Sequence, residues 1–393
     1  MTPPHHIVIA GAGLAAQRCC QSLRRRGHDG PIVVVGDEGA LPYDRPPLSK
    51  EHLTGRMEAS ALELRPASWY DDHGVELVLD DPLVGLDPAA RRVGRASGAE
   101  LRYDRLLVAT GARPVELPGT AGYENVHVLR SAADAGRLGA ALRPGTRLAI
   151  VGAGFIGQEV AASARSLGVE VTMIEAAPTP LHGLLGPRLG GWFAELHRAE
   201  GVEVVLGREV ASFRGGGTAL ESCVLSDGSE VECDVLLVGV GVRPAAAWLA
   251  GSGLPADGVP VDSAGRTSLP GVFAAGDVAR PLDPLTGRPG RSDHWEAAVA
   301  QAGAAAHAML GLDPPAAPRP SFWSDQYGIR IQFAGDTRGA DGIEIDGDPA
   351  GRDFTALFHR DGVACAGLLV GRPRALPALR AQLDNPIPER RTA

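Results

Sequence analysis

A strand that runs into Gly-x-Gly-x-x-small and continues as a helix occurs twice in this chain of 393 residues. The first copy reads His6-Ile-Val-Ile-Ala-Gly11-Ala-Gly13-Leu-Ala15-Ala16, the second Arg147-Leu-Ala-Ile-Val-Gly152-Ala-Gly154-Phe-Ile-Gly157. Each part of the pattern has a steric reason. The first glycine permits the tight turn, the second lets the backbone approach a pyrophosphate, and a small third residue lets helix and strand pack closely. The helix N-terminus then presents free N–H groups and its positive dipole end to that anion. After the first copy come a helix over 17–26 and an apolar strand over 32–35 ending at Gly36-Asp37-Glu38. After the second come a helix over 158–167 and a strand over 170–174 ending in Glu175. An acid at that place can hold a ribose hydroxyl. One such turn is weak evidence, since glycine-rich turns are common. Two, each with strand, helix and terminal acid, predict two βαβ dinucleotide-binding units.

The repeat extends further. Leu101-Arg-Tyr-Asp-Arg-Leu-Leu-Val-Ala-Thr-Gly111-Ala-Arg-Pro114 closes the first unit and Val231-Glu-Cys-Asp-Val-Leu-Leu-Val-Gly-Val-Gly241-Val-Arg-Pro244 the second. Continuous apolar runs of this kind suit central strands buried on both faces. From about Ser321 the texture changes. Phe354-Thr-Ala-Leu-Phe-His and Gly362-Val-Ala-Cys-Ala-Gly-Leu-Leu-Val lie between turn signals and predict a small antiparallel sheet with short helices. Pro314 to Pro320 reads as the linker into it.

Composition removes several classes of function. Hydrophobic residues at 44% and charged residues at 22% fit a globular protein, and no apolar run approaches the roughly 20 residues that span a bilayer. The first apolar run, Ile7 to Ala10, leads straight into a glycine turn, so it reads as a strand and not as a signal peptide. The five cysteines are odd in number and form no CxxC, which argues against a disulfide framework and a metal site and fits a reducing cytoplasm. A net charge of −9 argues against nucleic acid as the main partner. Of 38 Lys plus Arg only Lys50 is lysine, leaving 37 arginines, so an ammonium at this one place invites a specific reason.

Pro42-Tyr-Asp-Arg45-Pro-Pro-Leu-Ser-Lys50, Ala109-Thr-Gly111, Gly276-Asp277 and Phe322-Trp323-Ser-Asp-Gln-Tyr327 together resemble the ferredoxin reductases of bacterial oxygenase systems, within the FAD-dependent pyridine nucleotide–disulfide oxidoreductases. The likeness runs along nearly the whole chain. It implies an α/β fold of two Rossmann-like, glutathione-reductase-like domains plus a small α+β C-terminal domain. The implied boundaries are a discontinuous FAD domain over 1–114 and 245–320, an NAD domain over 115–244 and a C-terminal domain over 321–393. The motif Thr267-Ser-Leu-Pro-Gly-Val-Phe-Ala-Ala-Gly-Asp277 belongs, by this resemblance, back in the FAD domain. For FAD the resemblance implicates Gly11, Gly13, Ala15, Asp37, Arg45, Lys50, Leu83, Arg130, Asp277, Trp295 and Trp323. For NAD it implicates Gly152, Gly154, Gly157, Glu159, Glu175 and Gly241. Lys50 matches a lysine beside the reactive flavin nitrogen, and Glu159, expected in the first turn of its helix, matches the acid that pairs with it; these two are the catalytic candidates. The chain departs from the family at Ala16, in place of a third glycine, and at Asp293-His-Trp-Glu-Ala-Ala on the flavin side. His294 there reads equally as a flavin contact or a helix cap.

The chemistry implied is hydride transfer from NADH, as co-substrate, to FAD. The cofactors carry it and the protein supplies orientation and electrostatics. FAD can release its electrons singly, which suits a [2Fe–2S] ferredoxin as partner, feeding a haem-thiolate monooxygenase or a Rieske dioxygenase. Thiol-relay chemistry needs a reactive cysteine near the flavin. At that place the chain reads Leu-Pro-Tyr-Asp-Arg-Pro-Pro-Leu-Ser-Lys, and Cys19 and Cys20, adjacent on the first helix, read as packing residues. Rubredoxin reduction, direct oxidation of NADH by oxygen or a quinone, and a redox-sensing role like that of apoptosis-inducing factor remain as alternatives. NADH is expected over NADPH, because Glu175 opposes a 2′-phosphate and Ala176-Ala-Pro-Thr-Pro180 carries no arginine to hold one. The docking surface for an acidic ferredoxin is expected among Arg288, Arg291, Arg330, Arg338, Arg372 and Arg374. These motifs leave the oligomeric state open.

Overall fold

A computed structural model describes residues 6–282, 287, 289–290 and 293–385. The chain divides into two compact units, each formed from separate stretches: 1–44, 60–113 and 242–320 in one, 45–59, 114–241 and 321–393 in the other.

The first unit is built on a parallel five-stranded sheet in the order Val272–Ala274, Arg105–Val108, Ile7–Ala10, Ile32–Val35, Val75–Val78. Alternate residues of its inner strands serve opposite faces. Ile7, Ile9, Ile32 and Val34 join one core with the helices Leu14–Arg25 and Trp295–Met309, while Val8, Ala10, Val33 and Val35 join another. That two-sided burial is why these strands are apolar throughout. An antiparallel meander, Leu83–Asp87, Arg92–Arg95 and Glu100–Arg102, completes the second core with Leu83 and Leu86.

The second unit repeats the plan. Its parallel sheet runs Glu203–Leu206, Glu170–Glu175, Arg147–Val151, Val235–Val238, Val126–His127. The echo seen in the sequence is an echo of position: Arg105 pairs with Ile7 in one sheet, and Val235 with Leu148 in the other. Residues 45–59 cluster with this unit, whereas the sequence-based boundaries placed them with the FAD domain. The reason is local: the Ser49 carbonyl accepts from Ser163 at 2.6 Å and Leu53 joins the core of Leu138, Ile150 and Val160.

Residues 321–385 add an antiparallel sheet in the order Ser321–Gln326, Ile329–Gly335, Val363–Val370, Asp353–Arg360, Gly342–Asp348. One face buries Phe333, Phe354 and Leu368 against Leu185, Leu189 and Phe193 of the helical stretch His182–Ala199. Leu379 and Leu383 of the helix Leu376–Asp384 cover the other.

Both nucleotide helices begin earlier than their polarity suggests, at Leu14 and Phe155, directly after the second glycine of each turn. Glu159 therefore lies in the second turn of its helix and not the first. Gly11 has φ +102° and an added Cβ would stand 2.3 Å from the Ala109 carbonyl oxygen; Gly152 has φ +104° and would meet that of Gly239 at 2.5 Å. No side chain but hydrogen fits either turn. Among the described residues no helix is long and apolar enough to cross a membrane, and no group of three His, Cys, Asp or Glu could hold a metal ion.

Candidate functional site

Proline-rich Pro46–Ser49 forms a short 3-10 turn, and Lys50 follows it into the protein with 8% of its surface exposed. Its three ammonium protons meet three acceptors: Glu159 Oε2 at 2.6 Å, the Pro46 carbonyl oxygen at 3.0 Å and Ser49 Oγ at 3.3 Å. Glu159, 4% exposed, takes a second bond on Oε2 from Ser49 Oγ at 2.6 Å and one on Oε1 from Ser324 Oγ at 2.7 Å. Two hydroxyls and an ammonium thus hold one buried carboxylate, as a desolvated ion pair requires. The Lys50–Glu159 pairing implied by the sequence is present. Ser49 and Ser324 lie inside two of the four motifs that carry the resemblance, yet only the structure gives them this role.

Beside Glu159, Gln158 extends the buried network. Its Nε2 donates to the Ala153 carbonyl at 2.9 Å, which fixes the amide and leaves Oε1 facing His197 Nε2 at 3.1 Å. His197 must donate there, so its Nδ1 accepts from the Tyr327 hydroxyl at 2.7 Å. Burial lowers the imidazole's pKa to about 4 and keeps it neutral.

The other flavin candidates fall in both units. In the first, Gly13 starts its helix with no capping side chain, and the space where its Cβ would stand is open to at least 4 Å. Ala15 is buried, with its Cβ 3.3 Å from where one on Gly276 would sit. Asp37 is exposed and paired with Arg113 at 3.2 Å, a contact worth little in water. Leu83 is buried in the meander core. Asp277 is half-buried and near His294, whose pKa falls through burial although Asp293, Asp277 and Glu296 oppose the shift. His294 is the residue before the helix, but its side chain makes no cap bond. Trp295 donates to Asp44 at 2.8 Å with the Arg18 guanidinium 5.7 Å from its ring. In the second unit, the Arg45 guanidinium donates to the Arg130 carbonyl, and Trp323 lies under Arg330 at 5.9 Å.

The second glycine turn opens on a cavity of about 550 Å³ lined by Gly152, Gly154, Glu175, Arg208, Gly239 and Gly241, among others. Gly157 lies behind the turn, where a Cβ would press on the Gly152 carbonyl at 2.2 Å. Gly154 matches Gly13: no capping side chain, open space in front. Glu175 reaches back to the turn, accepting from Ala153 N on Oε2 at 2.7 Å and from Ala177 N on Oε1 at 2.8 Å. An arginine does line this cavity. It is Arg208, which follows the neighbouring strand Glu203–Leu206 and lies outside the 176–180 segment.

Three of the six arginines expected to form a positive docking surface are neutralised within the chain. Arg330 pairs with Asp325 at 2.6 Å, Arg338 with Asp336 at 2.6 Å, and Arg372 with Asp346 at 2.8 Å and Asp353 at 2.5 Å. Arg374 makes no ion pair among the described residues, and Arg288 and Arg291 lie outside them. Four of the five cysteines are buried. Cys19 and Cys20 are fully buried and burial pushes both thiols up, that of Cys20 to about 12; Cys223 and Cys233 lie in the second unit's core.

Two uncapped helix N-termini behind glycine turns, each with room in front, define a protein of the two-dinucleotide α/β class. Residues 5–302 match the pyridine nucleotide-disulphide oxidoreductase family and residues 321–392 the reductase C-terminal family, so the chain belongs to the former and carries the latter as its last domain. It is similar to the ferredoxin–NAD(+) reductase component of the anthranilate 1,2-dioxygenase system of Burkholderia cepacia, at 39% identity covering 93% of this chain and 91% of that protein. With the corresponding component of the biphenyl dioxygenase system of Paraburkholderia xenovorans it shares 40% identity over 94% of this chain and 90% of that protein. A chain of the covalent putidaredoxin reductase–putidaredoxin complex superposes with TM-score 0.94 at 30% identity, covering 98% of this chain and 94% of that one. These families and relatives are FAD- and NAD-dependent oxidoreductases, and the two glycine cradles fit both groups.

Proposed function

We propose that this protein is an NADH-dependent FAD flavoprotein that passes electrons singly to a [2Fe–2S] ferredoxin, which in turn feeds a haem-thiolate monooxygenase or a Rieske dioxygenase. Bound FAD supplies the change from a two-electron donor to a one-electron acceptor. The chain's own residues bind and orient. Gly11, Gly13 and the first helix hold one pyrophosphate, with Ala15, Asp37, Arg45, Leu83, Arg130, Asp277, Trp295 and Trp323 as further flavin contacts. Gly152, Gly154, Gly157, Glu175 and Gly241 shape the nicotinamide nucleotide site. Glu159 holds the Lys50 side chain at one position.

The observation that carries this reading is the buried Lys50–Glu159 pair with hydroxyls on both carboxylate oxygens, in a segment where a disulfide-reducing relative needs a cysteine. With no thiol relay, electrons must leave the flavin directly for an outside acceptor. Ferredoxin docking of this kind needs an accessible surface, and Arg374 is a cation of the expected group that makes no ion pair among the described residues. The test is turnover of the purified holoprotein with NADH and one acceptor at a time. A [2Fe–2S] ferredoxin should be reduced at least tenfold faster than oxygen or rubredoxin. Equal or faster reduction of oxygen or rubredoxin would overturn the assignment.

A further inference from the structure

Arg208 stands at the lip of the cavity that the second glycine turn opens, and its backbone is tied to the acid of that site. The Arg208 N–H donates to the Glu175 carbonyl at 3.2 Å, and Gly207 N–H to that of Ala177 at 3.0 Å. Arg208 therefore sits beside the end of the strand where, in a βαβ nucleotide fold, a cation would receive a ribose 2′-phosphate. Its guanidinium is turned to another task. Nε donates to Asp227 Oδ2 at 2.6 Å and Nη1 to the Gly207 carbonyl at 3.2 Å. Asp227 belongs to the turn between the strands Ala219–Leu225 and Glu230–Glu232. It is anchored there independently, since its Oδ1 accepts from Ser229 N–H at 3.0 Å and from Ser229 Oγ at 2.6 Å. The Ser229 hydroxyl first, and then Arg208, hold its carboxyl well below the usual range, so it is an anion wherever the enzyme works.

We propose that Asp227 is a coenzyme-specificity residue: by engaging the Arg208 guanidinium it denies a 2′-phosphate its counter-ion, and so favours NADH over NADPH. The assignment rests on reading the cavity as the adenosine end of the nicotinamide nucleotide site. Charge supports it. Glu175, Glu209 and Asp227 against Arg208 leave the lip two charges negative, and a phosphate monoester would bring roughly another −1.5 to −2. Geometry supports it as well. A guanidinium binds phosphate with two parallel N–H bonds, and here Nε already belongs to Asp227. Both side chains are about two-fifths exposed, so their attraction is weak enough for a phosphate to compete once Asp227 loses its charge.

The experiment uses holoprotein as wild type, Asp227→Asn, Arg208→Ala and the double variant. Steady-state kinetics with NADH and NADPH are read beside calorimetric binding of 5′-AMP and 2′,5′-ADP. Asp227→Asn should raise kcat/KM for NADPH about tenfold, through KM, which is about 1.4 kcal/mol of binding. Its kcat/KM for NADH should change less than twofold. Binding of 2′,5′-ADP should tighten by a similar factor while 5′-AMP stays constant, and both gains should vanish in the double variant. If Asp227→Asn leaves NADPH and 2′,5′-ADP unchanged, or if the gain survives loss of Arg208, the proposal is overturned. If 5′-AMP fails to compete with NADH in the wild type, the reading of the cavity fails and the proposal falls with it.

Discussion

Replacing Lys50 by methionine removes one ammonium from a site where every hydrogen bond is accounted for. The linear side chain keeps most of the volume, so packing changes little. Electrostatics changes more, because Glu159 at 4% exposure loses its counter-ion. Removing one partner of a buried pair typically costs about 3–5 kcal/mol. Here the hydroxyls of Ser49 and Ser324, at 2.6 and 2.7 Å, still solvate the carboxylate, which points to the lower end, about 3 kcal/mol. Adding Glu159→Gln removes the orphaned charge and should restore most of that loss, since deleting both members of a buried pair is close to neutral. The assay is denaturant unfolding of wild type, both single variants and the double, analysed as a cycle, with stopped-flow reduction of the flavin by NADH on the same four proteins. Flavin reduction should slow in every variant that lacks the ammonium, the double included. Lys50→Arg should also be slow, because a planar fork cannot place three protons on the tight cluster of Pro46, Ser49 and Glu159. Equal destabilisation in Lys50→Met and the double variant would show that the loss comes from packing, and wild-type reduction rates in Lys50→Arg would remove the case for a compact ammonium.

Asp277→Ala should lose much of the flavin from a protein that otherwise purifies yellow, measured as flavin absorbance per protein. Retention of full flavin content would take Asp277 out of the binding set. Stability should fall as pH drops from about 6.5 towards 4, because unfolded His197 binds a proton at about 6.5 while the buried imidazole resists until about 4. The gap amounts to roughly 3 kcal/mol below that window and nothing above it. His197→Gln should flatten this part of the pH profile of the unfolding midpoint, and an unchanged slope would contradict a neutral His197.

The two βαβ halves could be read from the chain because their demands are local. Gly11 and Gly152 occupy backbone turns where a Cβ would overlap a carbonyl oxygen, and strands buried on both faces must be apolar at every position. The sole lysine and its acid were legible for a different reason, since the family resemblance implicated both. What folding alone decided are meetings between distant residues. Ser49, Glu159 and Ser324 stand 110 and 165 positions apart along the pairs they form, and no periodicity joins a 3-10 turn, a helix and an edge strand. Arg208 is invisible as a lining residue of the cavity until the strand before it is laid beside the one ending in Glu175. The arginines of the last domain read as a positive surface because sequence counts charges one at a time; the sheet then brings Asp325 within ion-pair distance of Arg330, and Asp346 and Asp353 within that distance of Arg372. Local sterics are written residue by residue, whereas partnership between side chains depends on register and on which strand lies next to which, and that is settled only when the sheets assemble.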